Sequence, residues 1–213
     1  MAAARDVANA GMATYALVLT LVYLALAFGA RTVLQLRSTG STGFKGISGR
    51  VGSAEWTGGA LFAAAVVLLV FAPVLQIAGA LEPIGFLDGL AGRWLGFALY
   101  GLGLTGTLIA QSAMGASWRI GVDASERTEL VTPGAFALVR NPIFAVMVPA
   151  CLGLVLLAPN AVALLGLVAL VVAIELQVRF VEEPYLVQTH GEGYARYASR
   201  VGRFVPGFGR LKP

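Results

Sequence analysis

The chain has 213 residues, 58% of them hydrophobic and 12% charged, with a formal net charge of +4. Soluble globular chains lie nearer about 45–50% apolar and about 25% charged, so an ordinary water-soluble domain is excluded. Cys151 and His190 are the single residues of their kinds, which excludes an intrachain disulfide, a Cys/His zinc site and a dithiol redox pair.

The apolar residues come in long blocks, the pattern of a polytopic helical membrane protein. The length suits one all-α membrane domain over 1–213, divided into a three-helix scaffold (1–113) and a catalytic region (114–213). No repeat period or low-complexity linker is expected. The first block, Met12 to Ala30, spans about 30 Å of hydrocarbon at about 1.5 Å per residue. Its flanks run the wrong way for a cleaved leader, because Asp6 offsets Arg5 and the following stretch is basic. A Gly/Ser/Thr-rich loop, Arg37 to Ser53, is expected to be flexible and to lie near lipid headgroups. The second block, Ala54 to Leu81, carries Pro73, which frees a backbone carbonyl and kinks the helix. Glu82-Pro83 and Asp88-Gly89 mark a turn. The third block runs from Arg93 to Met114, and Gly92, Gly96, Gly101, Gly103 and Gly106 thin one side for close helix approach.

Gly115 to Arg140 is the longest polar stretch. The fourth block, Pro142 to Leu157, and the fifth, Ala161 to Val178, meet at Ala158-Pro159-Asn160 as a tight helical hairpin, so the two should be antiparallel neighbours. Pro184 should end or bend the last of these helices. One amphipathic helix follows, with Tyr194, Tyr197 and Val201 on one face and Arg196, Arg200 and Arg203 on another, a form suited to a membrane surface. Five transmembrane helices and a short C-terminal helical tail put 13 of the 15 Lys and Arg residues on one side, leaving Arg5 and Arg93 on the other. By the positive-inside rule the amino terminus lies outside and the tail is cytoplasmic, in a bacterial-type inner or plasma membrane. No nucleic-acid partner is implied by so modest a charge.

Two stretches carry chemistry, and the topology opens both to the cytoplasm. Asn141 is a good N-cap and Pro142 is favoured at the first helical position. The fourth helix should therefore start with free N–H groups beside Arg140, which makes either an anion site or a basic membrane anchor. On the fifth helix Glu175, Arg179, Glu182 and Glu183 fall at i, i+4, i+7 and i+8 and share a face. A carboxylate inside the apolar block is costly, so Glu175 should pair with Arg179, leaving Glu182 and Glu183 for a ligand.

The order Leu130-Val131, Gly134-Ala135-Phe136, Val139-Arg140-Asn141-Pro142-Ile143-Phe144, Arg179 with Glu182-Glu183, Gly191 with Tyr194 and Tyr197, and Val205-Pro206 resembles the isoprenylcysteine carboxyl methyltransferase family, which belongs with the membrane phospholipid methyltransferases. The resemblance covers Met114 to Phe208. It implies a five-helix enzyme that uses S-adenosyl-L-methionine and takes a lipophilic small-molecule or lipidated acceptor from the bilayer, with no metal. It further implies a cofactor pocket lined by Val131, Gly134, Arg140, Asn141, Pro142, Phe144, Glu182 and Glu183. Arg140, Glu182 and Glu183 would be catalytic and Trp118, Arg119 and Arg179 would stand on the acceptor side. The family histidine is Asn141 here and the family tyrosine is Phe144, so one titratable group and one hydroxyl are lost. Trp118-Arg119 fits either an acceptor headgroup site or an interfacial anchor. Two other readings remain open at this point: a sterol-reductase-like enzyme using NADPH, and a non-enzymatic membrane transport or assembly module.

Overall fold

A computed structural model describes residues 2–44, 46–118 and 130–211. All of its regular elements are helices. Helix α1 (Ala2–Tyr23) continues through a π-helical segment (Leu24–Ala30) into α2 (Arg31–Thr39). The predicted first span is thus the middle of a longer rod. The predicted loop opens later than expected, at Gly40, whose φ of 76° ends the helix; glycine takes this left-handed conformation without a Cβ clash.

The loop corrects the expectation of no repeat. Glycines at 40, 43, 46, 49 and 52 recur every third residue, each with φ between 70° and 85°. These left-handed points turn the chain repeatedly and bring Phe44, Ile47 and Ser48 back onto the bundle. Ser53 then caps α3 (Ala54–Ile77), its hydroxyl oxygen accepting from the Trp56 N–H at 3.2 Å. Pro73 lies buried inside α3, as expected of that block.

Helix α4 (Leu90–Met114) packs along α6 (Pro142–Leu157) through its glycines. A Cβ at Gly103 would stand 2.6 Å from Ala150 Cβ, and one at Gly96 would stand 2.9 Å from the Gly153 carbonyl oxygen. The predicted bounds of α6 hold, because Pro142 suits a first helical turn and Ala158-Pro159-Asn160 ends the run. A short helix, α5 (Ala135–Leu138), precedes it.

Asn160 is fully buried and caps α7 (Ala161–Gln177): its Oδ1 accepts from the Ala163 N–H at 2.9 Å. The hairpin forms, but its two helices mainly face other partners. Helix α6 lies along α4 and α7 along α3, and their contact with each other is the lesser one. Pro184 does not end the rod. A π-helical segment (Val178–Glu182) leads from α7 into α8 (Glu183–His190): the Glu183 N–H bonds back to the Val178 carbonyl, and Pro184 follows in the first turn of α8 without breaking the rod.

The tail helix α9 (Glu192–Arg200) has the predicted two faces, but its aromatic face meets protein rather than a lipid surface. Tyr194, Tyr197 and Ala198 are buried against Leu130 and Leu186, and the Tyr197 hydroxyl donates to the Phe136 carbonyl at 2.6 Å.

Among the described residues four helical runs are long and apolar enough to cross a membrane: Val7–Thr39, Ala54–Ile77, Leu90–Met114 and Ala161–His190. Helix α6 has 16 residues, about 24 Å at about 1.5 Å per residue, short of the fifth full span expected. Phe71, Leu102, Ile109, Leu165 and Val168 point outward on these runs and are more than half exposed. Such large apolar side chains suit contact with hydrocarbon.

Candidate active site

The end of the bundle that holds Arg140 is closed by a buried charge triad. Arg140 Nη2 donates to Glu183 Oε1 at 2.5 Å, and Arg203 donates from Nε to Oε1 at 2.8 Å and from Nη2 to Oε2 at 2.7 Å. Two cations meet one carboxylate, and the surplus charge faces carbonyl oxygens. Arg140 Nη1 donates to Ala198 and Val201 at 3.1 and 2.6 Å, and Nη2 to Gly209 at 3.0 Å. Ala198 and Val201 lie at the C-terminal end of α9, where unpaired carbonyls and the helix dipole favour a cation.

The backbone repeats the connection. Val139 and Gly202 form a parallel bridge, the Arg140 N–H donates to Gly202 at 2.8 Å, and the Asn141 N–H donates to Arg203 at 3.1 Å. The Asn141 side chain follows, donating from Nδ2 to the Arg203 carbonyl at 3.2 Å. Asn141 therefore stands at the N-cap position without capping through its side chain, which corrects the sequence expectation. Likewise the Arg140 charge is already met by Glu183, so the guanidinium is a strut of the wall rather than an open anion site.

Beside this strut lies a cavity of about 610 Å³. It opens between the α4/α6 pair and the α3/α7 pair, and the first π segment closes one side with Leu24 and Phe28. Of the sequence-predicted residues, Trp118, Val131, Arg140, Asn141, Pro142, Phe144 and Glu182 meet on its wall; Gly134, Arg179 and Glu183 do not. Arg119 lies outside the described residues. The pairing of Glu175 with Arg179 is as expected, on a half-exposed surface.

The second π segment explains why the four charges do not share a face. Its wider turn shifts the register between Arg179 and Glu183, so Glu182 reaches the cavity while Glu183 turns to Arg140 and Arg203.

Trp118 is buried, with the Arg31 guanidinium 5.0 Å from its ring centroid. Arg31 also donates to the Gly115 carbonyl. The aromatic thus serves as a platform for a cation from the first rod, and a Cβ at Gly43 would stand only 3.1 Å from its ring.

Sequence reasoning missed several residues of this site. Glu55 and Ser48 are on the wall and hydrogen-bond to each other, and Gln111 is also there. A carboxylate or amide next to an apolar block was the signal available for Glu55 and Gln111. Arg203 and Gly202 gave no local signal, since their partners lie 20 and 63 residues away in the chain.

Burial pushes the phenols of Tyr194 and Tyr197 up to about 12. The hydrogen bonds to Glu183 hold the Arg203 guanidinium above its ordinary value. The tail that seals the site is therefore charged at Arg203 and neutral at both tyrosines over the physiological range. Among the described residues no group of three or more His, Cys, Asp and Glu side chains could hold a metal.

Residues 91–193 match the family model described as phospholipid methyltransferase, the family of the isoprenylcysteine carboxyl methyltransferase-like membrane enzymes. The match takes in α4, the Arg140-to-Phe144 motif, the hairpin and the Glu182-Glu183 pair, while Tyr197, Val205 and Pro206 fall beyond it. No curated protein matches the chain.

Proposed function

From its membership, over residues 91–193, in the phospholipid methyltransferase family, we propose that this chain transfers a methyl group from S-adenosyl-L-methionine to a lipophilic acceptor at the cytoplasmic face of a membrane. The observation that carries this reading is the cavity itself. Arg140, Asn141, Phe144 and Glu182 of the matched segment meet on the wall of one chamber that is otherwise largely apolar.

The residues fit the cofactor. Glu182 is a carboxylate at the wall, able to accept from an ammonium or ribose hydroxyls, and Tyr185 stands on the same wall. Val131 and Pro142 offer apolar contact on the motif side. When bound, S-adenosyl-L-methionine supplies an electrophilic methyl carbon on a sulfonium. Phe28, Phe62 and Phe144 exclude water from the chamber, which helps alignment of two reactants and strengthens electrostatics inside it. Where the acceptor atom carries a proton, Glu182 is the group placed to receive it. The Arg140–Glu183–Arg203 triad works at one remove, fixing the wall that presents Asn141 and Phe144.

The test is binding in detergent of S-adenosylmethionine, S-adenosylhomocysteine and NADPH to wild type and Glu182→Gln. Saturable binding of the first two, weakened in a Glu182→Gln variant that stays folded, is the expected result. Binding of NADPH alone, or of none, overturns the reading. Labelled cofactor with fractionated lipid extract then identifies the acceptor.

A further inference from the structure

Gln111 is 3% exposed in the last turns of α4 and lies on the cavity wall. Its amide is pinned from one side, with Nε2 donating to the Ala27 carbonyl at 2.8 Å. Ala27 belongs to the first π segment, whose residues Leu24 and Phe28 line the same chamber. The other end of the amide, Oε1, is buried with no hydrogen-bond partner. A buried acceptor left unmet is costly, and such orphans are rare enough that each needs a cause.

We propose that Gln111 is a specificity-determining residue: its Oε1 accepts a hydrogen bond from an O–H or N–H group carried by the lipid that fills this cavity. The ligand class is an apolar chain with a neutral donor near its head, rather than a plain hydrocarbon chain or a bare carboxylate. The bond from Nε2 to Ala27 leaves Oε1 as the end of the amide that a ligand could meet. The π segment makes this possible, since its irregular turn supplies the carbonyl that Gln111 holds. The claim deepens the acceptor side of the proposed transfer and rests on that reading for the word acceptor, but lipid binding alone tests it.

The experiment measures displacement of a fluorescent long-chain probe in detergent, without cofactor, by matched pairs. One pair is hexadecanol and its methyl ether; the other is hexadecanamide and its N,N-dimethyl derivative. Wild type is expected to prefer the donor-bearing member of at least one pair by about fivefold, the scale of one neutral hydrogen bond, and the preferred pair tells O–H from N–H. Gln111→Met, close in volume, should bring that ratio to about one while ether binding stays within about twofold, the size of a small packing change. Gln111→Glu, neutral when buried, keeps both a donor for Ala27 and an inward acceptor and should restore the preference. No preference in wild type for either pair, or a preference that survives Gln111→Met, overturns the proposal. Binding of S-adenosylhomocysteine, run in parallel, separates the two claims. Its loss with the lipid preference intact removes the transfer reading alone, and the reverse result removes the Gln111 assignment alone.

Discussion

Arg140 Nη2 and Glu183 Oε1 stand 2.5 Å apart with both side chains almost fully buried. Adjacent carboxylates in the sequence therefore have different work. Glu183 neutralises a buried cation, while Glu182 faces the cavity. Glu183→Gln is expected to lower stability by about 3–5 kcal/mol, because two guanidiniums lose the carboxylate they share. Glu182→Gln keeps the side chain's size and a hydrogen-bonding end, so it should lower the unfolding temperature less than Glu183→Gln. It should slow transfer to a proton-bearing acceptor by about 10²-fold or more, the usual worth of a positioned base. Thermal unfolding in detergent and a labelled-methyl assay read the two effects. Equal destabilisation by both variants would remove the division of labour.

The tail should come loose in alkali. A phenol is neutral when protonated, so folding that raises Tyr194 and Tyr197 to about 12, from an ordinary value of about 10, means the folded chain holds those protons more tightly. The stabilisation is complete below pH about 10 and is lost as pH rises toward about 12. Unfolding temperature followed from neutral to strongly alkaline pH is expected to fall through that window. Tyr197→Phe removes the hydrogen bond to Phe136 and one of the two titrating groups, so it should start lower and fall less. A curve for Tyr197→Phe parallel to wild type would exclude the phenols as the cause.

How much of this was legible depended on whether the deciding interactions were local. Pro142 and the Ala158-Pro159-Asn160 turn fixed the bounds of α6, because proline and turn chemistry act on their own few residues. The glycines of α4 announced a close helix contact for the same reason, although not which helix would fill it. The π segments carry no residue signature, and without them Glu182 and Glu183 could not be sorted onto different surfaces. The Arg203 role depends on the tail folding back across α8, a relation that no spacing within the tail reveals. Val131, Arg140, Asn141, Phe144 and Glu182, grouped by motif resemblance, line one cavity. The resemblance gave no sign that Arg140 pairs with Glu183 within the fold.

The approach of α4 to α6 leaves no room for a side chain at Gly153. A Cβ there would lie 2.5 Å from the Gly96 carbonyl oxygen and 2.8 Å from the Tyr100 nitrogen. Gly153→Ala is expected to cost about 1–3 kcal/mol, as overpacking does in a close contact. Gly101→Ala on α4, with nothing within 4 Å of the added carbon, should be neutral or slightly stabilising through helix propensity. The pair is compared by thermal unfolding in one detergent, and similar losses at both positions would mean that α4 and α6 do not meet through Gly153.

Asn160 joins α3 to α7 from a fully buried position at the far end of the bundle. Its Nδ2 donates to the Ala72 carbonyl at 3.1 Å and to Gln76 Oε1 at 2.9 Å, while its Oδ1 caps α7. Asn160→Asp keeps the cap but removes the donor and sets a carboxylate against two acceptors, whereas Asn160→Ala loses the cap and leaves Gln76 Oε1 unmet. The cap alone is worth about 1 kcal/mol, and an orphaned buried acceptor adds about 1–3 kcal/mol. Both variants are therefore expected to destabilise, with Asp the worse at neutral pH and recovering as acid protonates it, since a neutral Asp can again donate to Ala72 or Gln76. Unfolding temperature measured at neutral and mildly acid pH checks the order; an Asp variant that is insensitive to acid would show that the amide donor does not hold α7 to α3.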